Sequence, residues 1–141
     1  MNGQLTTFTL SDHSYGLPVQ AVQEVLKEHV STPVPLTGDD VRGLMNLRGE
    51  IVLVLDLRAR LAMPERSTGV APMGVVVRVD DEPICLLVDR INDVINVTED
   101  MFEASPDNLD GPNYELIRGA YKLPDRLVLA LDVERAVTEA R

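Results

Sequence analysis

The sequence has no tryptophan and only five other aromatic residues in 141, so it lacks the stacking platform on which single-stranded nucleic acids are held. Cations are scarce too. Thirteen lysines and arginines face 23 acids, and the formal net charge of −10 repels phosphate backbones with no dense basic stripe to offset it. Nucleic acid is therefore excluded as a partner. The single cysteine, Cys85, rules out an internal disulfide and fits a reducing compartment. No aliphatic run exceeds five residues, far short of the roughly 18 needed to cross a bilayer, so no direct membrane insertion is expected. The opening MNGQLTTFTL has no basic region followed by an apolar stretch, as an export signal would. These absences together predict a soluble, cytoplasmic protein.

What is present is a core. With 45% hydrophobic residues, a chain of this length can bury roughly two thirds of its unfolded surface and needs no covalent staple. The chain also repeats itself. YGLPVQAVQEV (15–25) overlays ICLLVDRINDV (84–94) without gaps at an offset of 69, and IVLVLDL (51–57) overlays LVLALDV (127–133). Leu47-Arg48-Gly49 finds an echo in Ile117-Arg118-Gly119, which implies a longer connection, AYKLPDR, in the second copy. A period near 70 is too long for a solenoid unit and suits two like subdomains, about 8–66 and 70–141, in one domain spanning 1–141. The stretch 63–72 is the expected joint.

The local grammar is mainly β. Phe8 to Leu10, Ile51 to Leu55, Met73 to Val79, Ile84 to Val88 and Leu127 to Leu131 are short aliphatic runs bounded by Gly, Pro, Asp or Asn. Runs without alternation indicate strands covered on both faces. Pro18 opens a segment with Val22, Val25 and Leu26 at helical spacing, which predicts one short helix. Asp132 is placed to cap a terminal helix over VERAVTEAR.

No residues assemble a catalytic constellation. His13 and His29 lack metal-ligand spacing to a second His or Cys, so neither a metal nor a cofactor is expected. Cys85 lies inside an aliphatic strand, where an inert thiol is commoner than a nucleophile. Asp80-Asp81-Glu82 falls between two strands, where hairpin turns favour Asp for backbone reasons. Asp56 and Asp132 occupy matching places and read as strand-ending caps. A small hydrolase built on these carboxylates is the out-of-class alternative, and it predicts a concave polar pocket.

Tyr15-Gly16-Leu17-Pro18-Val19, Val22-Gln23-Glu24-Val25, Thr32-Pro33-Val34-Pro35, Gly43 to Gly49 and Ile51 to Arg58, together with ICLLVDRINDV and LVLALDVERAV, resemble the CheW family of bacterial chemotaxis coupling proteins. The resemblance covers nearly the whole chain. It implies two SH3-like five-stranded β-barrel subdomains, with short helices including a C-terminal one. It further implies a non-catalytic adaptor that joins the cytoplasmic hairpin tip of chemoreceptors to the regulatory domain of the histidine kinase CheA. That kinase domain is itself CheW-like, so self-association in rings is implied as well. Carried over residue by residue, receptor binding falls on Arg48, Gly43, Val22 and Glu24, and kinase binding on Met73, Ile91 and Cys85. Arg48 can project outward to a receptor carboxylate or brace its own turn against Glu50, and the resemblance favours the former. Family members commonly have proline where Leu53 stands and glycine where Cys85 stands. A coupler or competitor in another chemosensory array, such as one for type IV pilus motility, is the in-class alternative.

Overall fold

In a computed structural model, residues 3–26, 41–61, 63–64, 72–104 and 116–138 are described. The fold is mainly β. In chain order the strands are β1 (Gly3–Leu10), β2 (His13–Pro18), β3 (Val22–Leu26), β4 (Val41–Leu47), β5 (Glu50–Asp56), β6 (Met73–Val79), β7 (Glu82–Val88), β8 (Arg90–Val97), β9 (Phe102–Ala104), β10 (Ile117–Lys122) and β11 (Leu127–Leu131). Two short helices follow strand ends, α1 (Leu57–Arg60) after β5 and α2 (Val133–Thr138) after β11. Asp56 and Asp132 cap them by accepting hydrogen bonds from the backbone N–H groups of Arg58 and Arg135, as the sequence predicts.

The strands form two sheets: one of six strands in the order β8-β1-β2-β11-β10-β9, and one of five in the order β3-β6-β7-β5-β4. Each sheet therefore draws on both halves of the chain. The expected ranges 8–66 and 70–141 each contribute strands to both sheets, because β1 pairs with β8 and β3 pairs with β6. The exchange obeys the internal repeat. With β1, β2, β3, β4 and β5 matched to β6, β7, β8, β10 and β11, both sheets have the same order, each taking its first two strands from one repeat and the other three from the other. The register follows. Thr6 faces Val94 as Val75 faces Val25, and Phe8 faces Ile91 as Val77 faces Val22, with a bulge at the same place in each. The six-stranded sheet differs from the expected five by β9, an edge strand on β10.

The hairpin pairings correct the sequence overlay. Val41 faces Leu55 and Asn46 faces Ile51, while Ile117 faces Leu131 and Lys122 faces Leu127, an ungapped match at an offset of 76 with a bulge before Gly43 and before Gly119. Leu123 even donates its N–H to the Arg126 carbonyl at 2.9 Å, closing a turn equivalent to that between Leu47 and Glu50. The partner of Arg118-Gly119 is thus Arg42-Gly43, not Arg48-Gly49, and the second copy has no longer connection. At Gly119 a Cβ would lie 2.4 Å from the Glu103 carbonyl oxygen, so the close approach of β9 requires glycine.

The predicted helix after Pro18 is also corrected. Only Val19–Ala21 form a single 3-10 turn, and Val22–Leu26 are strand. The bulge between Val22 and Glu24 inserts one residue, Gln23, so Val22 and Val25 both pack on the inter-sheet core. A bulged strand imitates the i, i+3 spacing of a helix.

Side chains on the aliphatic strands alternate between two cores. Val75, Val77, Ile84, Leu86 and Leu55 meet Phe8, Leu17 and Leu131 in the core between the sheets. Val76, Cys85, Leu87, Val52 and Val54 fill a separate cluster on the other face of the five-stranded sheet. Leu5, Val97 and Val128 do the same for the six-stranded sheet. Uninterrupted apolar runs are accounted for, since both faces are covered.

Candidate functional site

Arg48 and Gly49 are the two central residues of the β4–β5 hairpin, with φ of 53° and 88°. Positive φ at both positions is the type I′ geometry that matches the twist of antiparallel strands. Glycine accepts it freely. Arginine does not, and holding a non-glycine residue there costs about 1 kcal/mol. The Asn46 side chain accepts the Gly49 N–H at 2.8 Å and fixes the turn. The arginine is therefore held at the tip of the hairpin and not on the strand itself.

From there Arg48 Nη1 reaches Glu24 Oε1 at 2.5 Å. Glu24 lies on β3, the opposite edge of the sheet from β4, so the sheet must curl until its edges approach. This curvature fits the SH3-like subdomains expected. The pair holds the Glu24 carboxyl below its ordinary pKa, chiefly through the Arg48 hydrogen bond, and holds the Arg48 guanidinium above its own. The side chain of Arg48 is 72% exposed and that of Glu24 only 21%. Glu24 is a tether and Arg48 the outermost group. Among the described residues, Nη1 is the one guanidinium nitrogen of Arg48 with a partner.

The alternative of Arg48 bracing against Glu50 is not what is seen. Glu50 pairs with Arg78 at 3.2 Å, and Arg78 also donates to Gln23 Oε1 at 2.8 Å and to the Asp81 carbonyl at 2.6 Å. This second set of bonds draws β3, β5 and the β6–β7 turn together beside the Arg48–Glu24 pair. The sequence offered one signal for it, the Gln23-Glu24 dipeptide, which reads as helical until the bulge is known.

The other receptor-site residues scatter. Val22 is half-buried against the inter-sheet core, two residues from Glu24. Gly43 is buried on β4 with φ of 137°, a conformation that side-chain-bearing residues rarely adopt, so its backbone requires glycine independently of any partner. It lies five residues from Arg48, roughly 17 Å along an extended strand. Of the kinase-site residues, Met73 and Ile91 come together, the Ile91 N–H donating to Met73 Sδ at 3.2 Å, with Ile91 8% exposed. Cys85 is apart from them, fully buried on the other face of the sheet with Val52, Val54 and Val76. A contact made directly by its thiol is excluded in this conformation. Burial pushes that thiol up to about 12. We expect no reaction of Cys85 with a thiol-specific disulfide reagent in the native protein at neutral pH, and full reaction after denaturation; rapid labelling of folded protein would contradict the burial.

The carboxylates considered for hydrolysis have separate structural places. Asp56 and Asp132 cap different helices, and Asp80 and Asp81, with φ of 53° and 66°, form the β6–β7 hairpin turn. A cavity of about 310 Å³ opens on the six-stranded sheet between Leu5, Val97, Phe102, Arg118 and Tyr121 and is lined by none of those four acids, while another of about 370 Å³, beside Pro18, Arg118 and Val133, has Asp132 and Glu134 on its wall but neither Asp56 nor the turn acids. Among the described residues no group of three or more His, Cys, Asp or Glu could hold a metal, and no helix is long and apolar enough to cross a membrane. His29, Thr32-Pro33-Val34-Pro35 and most of the joint lie outside the described residues.

Two curled β-sheets joined through one apolar core, with an arginine presented at a hairpin tip, define a scaffold of the binding-module class. Residues 4–141 match the family model of the CheW-like domain. Similar proteins include a chemotaxis protein CheW of Treponema pallidum, 29% identical over 94% of this chain and 80% of that one, and a chemotaxis protein CheW of Helicobacter pylori, 30% identical over 93% and 79%. The crystal structure of the scaffolding protein TtCheW from Thermoanaerobacter tengcongensis superposes with a TM-score of 0.81 at 27% identity, covering 93% of this chain and 89% of that one. The chain belongs to the CheW family of chemotaxis proteins.

Proposed function

We propose that this chain is a non-catalytic coupler that holds a CheA-type histidine kinase at the cytoplasmic hairpin tip of a methyl-accepting chemoreceptor. The observation that carries this reading is the Arg48 side chain, 72% exposed at the hairpin tip and tethered at one nitrogen by Glu24. A planar fork held in this way suits a carboxylate or the carbonyls at a helix end. Glu24 sets its direction, and Val22, on the same strand, adds apolar surface. Gly43 contributes by allowing the β4 bulge. Kinase contact is proposed at the edge formed by Met73 and Ile91, with Cys85 supporting that sheet from its other face. The kinase regulatory domain shares the fold, so copies of this chain and of the kinase can alternate on like edges in rings.

The role requires two simultaneous partners, and the test follows from that. Kinase should pellet with receptor-containing membranes when this protein is added and stay in the supernatant when it is omitted. Kinase that pellets equally in both cases would remove the coupling role.

A further inference from the structure

We propose that Ile51 is the apolar anchor of the surface to which Arg48 supplies the charge. The partner this surface fits is an α-helix bearing an aliphatic or aromatic side chain about one turn from a carboxylate. The inference rests on the reading of Arg48 as a receptor contact and names the chemistry that contact selects.

β5 sorts its residues between two faces. Val52 and Val54 are fully buried in the cluster with Cys85, while Leu55 and Leu53 pack on the inter-sheet core. Ile51 continues the second row, but it stands 61% exposed. The apolar row thus runs from the centre of the molecule out into water beside the Arg48 turn. Only three large hydrophobic side chains are so exposed among the described residues: Ile51, Val94 and Leu127.

Leu127 is informative because it is the structural equivalent of Ile51, facing Lys122 as Ile51 faces Asn46. Its surroundings hold charge differently, since its cross-strand neighbour Lys122 is paired with a similarly exposed Glu103. Asp93, the equivalent of Glu24, is 67% exposed, whereas its partner Arg126 is 28% exposed. Pro124 and Asp125 occupy the turn positions held by Arg48 and Gly49 in the first repeat. Only the first repeat places a water-facing guanidinium beside a water-facing aliphatic.

Ile51 follows Arg48 by three residues, so their backbones are within about 10 Å, and a helix roughly 10 Å across can cover both. Helix residues three or four apart lie on one face about 5–6 Å apart, and the length of the arginine side chain spans the difference. A helix offering a carboxylate to the fork and an apolar side chain to Ile51 satisfies both groups at once. An apolar anchor fixes affinity and a desolvated arginine fixes register.

The test compares Ile51→Ser, Ile51→Val, Leu127→Ser and Arg48→Glu in a sedimentation titration with receptor-containing membranes. Fold integrity is checked by the denaturation midpoint of each variant. Ile51→Ser should bind about tenfold more weakly, the loss expected when a large aliphatic contact is removed, with Ile51→Val close to the parent and Leu127→Ser within about twofold of it. Parental binding by Ile51→Ser alongside weak binding by Arg48→Glu would overturn the anchor and leave the Arg48 reading standing. Parental binding by both would overturn the two together. Equal losses in Ile51→Ser and Leu127→Ser would also overturn the anchor, since the loss would then not belong to this surface.

Discussion

Arg48→Glu should lower affinity for the receptor tip by about a hundredfold, or about 2.7 kcal/mol, while leaving the fold intact. Two terms act in the same direction. The substitution removes a charge-assisted fork, and it places a carboxylate where the partner presents its own negative group. Stability should fall only modestly, because the pair with Glu24 that the substitution turns into a like-charge contact is an exposed one, with the Arg48 side chain 72% exposed. The backbone strain of φ 53° is common to both residues and cancels. Arg48→Lys keeps the charge but not the planar geometry, so its loss should be intermediate, near tenfold. Sedimentation titrations against receptor-containing membranes measure the binding, and urea midpoints measure the fold. Normal binding by the folded Glu variant would remove Arg48 from the interface.

The pH response follows from Glu24. Its folded pKa is depressed by Arg48, so whatever the pair contributes is present above the unfolded value and is lost as pH falls through the lowered folded value. Around neutrality the tether is constant. Receptor affinity should therefore be flat there, and a step near pH 7 would point to a different titrating group.

The sequence displayed the parts of this molecule that depend on local pattern. Strand runs, the Asp132 cap and the Asp80-Asp81 turn are decided by neighbours in the chain. The offset of 69 was visible because Leu17, Val19 and Val25 recur as Leu86, Val88 and Val94, all buried or half-buried except Val94. The offset of 76 in the hairpins was obscured by a decoy, since two Arg-Gly pairs precede β5 and the nearer one, Arg48-Gly49, was matched to Arg118-Gly119. Turn residues diverge when different pairs can reverse the chain, so Arg48-Gly49 against Pro124-Asp125 left no trace of equivalence. The correct match leaves Arg48 without a counterpart in the second repeat, because the equivalent position holds Pro124. Strand exchange was illegible for another reason. Whether β1 joins β8 or β3 depends on pairings between distant segments, and both choices bury the same apolar residues. Exposure of Ile51 was hidden likewise, since a strand of five aliphatics gives no sign of which end leaves the core.

Removing Arg58 should destabilise the protein by about 3 kcal/mol, the low end of the range for breaking a mostly buried ion pair and a large share of the roughly 5–15 kcal/mol that holds a domain folded. The reason lies in the exchanged strands. Each repeat sends its first two strands to the other sheet, so the chain crosses between sheets twice, from β2 to β3 and from β7 to β8. The second crossing turns at Asp89, whose N–H donates to the Thr9 carbonyl at 3.2 Å and whose carboxylate accepts the Ser11 N–H at 2.8 Å. Arg58, on α1, closes a bidentate pair onto the same carboxylate at 2.8 and 2.5 Å and donates to the Pro64 carbonyl at 2.9 Å. With side chains 14% and 16% exposed, the two groups tie α1, the β1–β2 turn and the crossing into one corner. The hydrogen bonds that Arg58 donates to Asp89 raise the guanidinium pKa above its ordinary value, so Arg58 is charged at every working pH. Arg58→Ala removes the bidentate partner of this mostly buried carboxylate. Asp89→Asn keeps an acceptor for Ser11 and should cost less. In a double-mutant cycle by urea denaturation, Arg58→Ala with Asp89→Ala should cost less than the sum of the singles by 1 kcal/mol or more, about the coupling expected of contacting residues. Strict additivity would show that the corner does not act as a unit. The binding phenotype separates this pair from Arg48. Loss of the corner weakens both sheets and should reduce receptor and kinase binding together in proportion to the unfolded fraction, whereas Arg48→Glu should sever the receptor and leave the kinase attached.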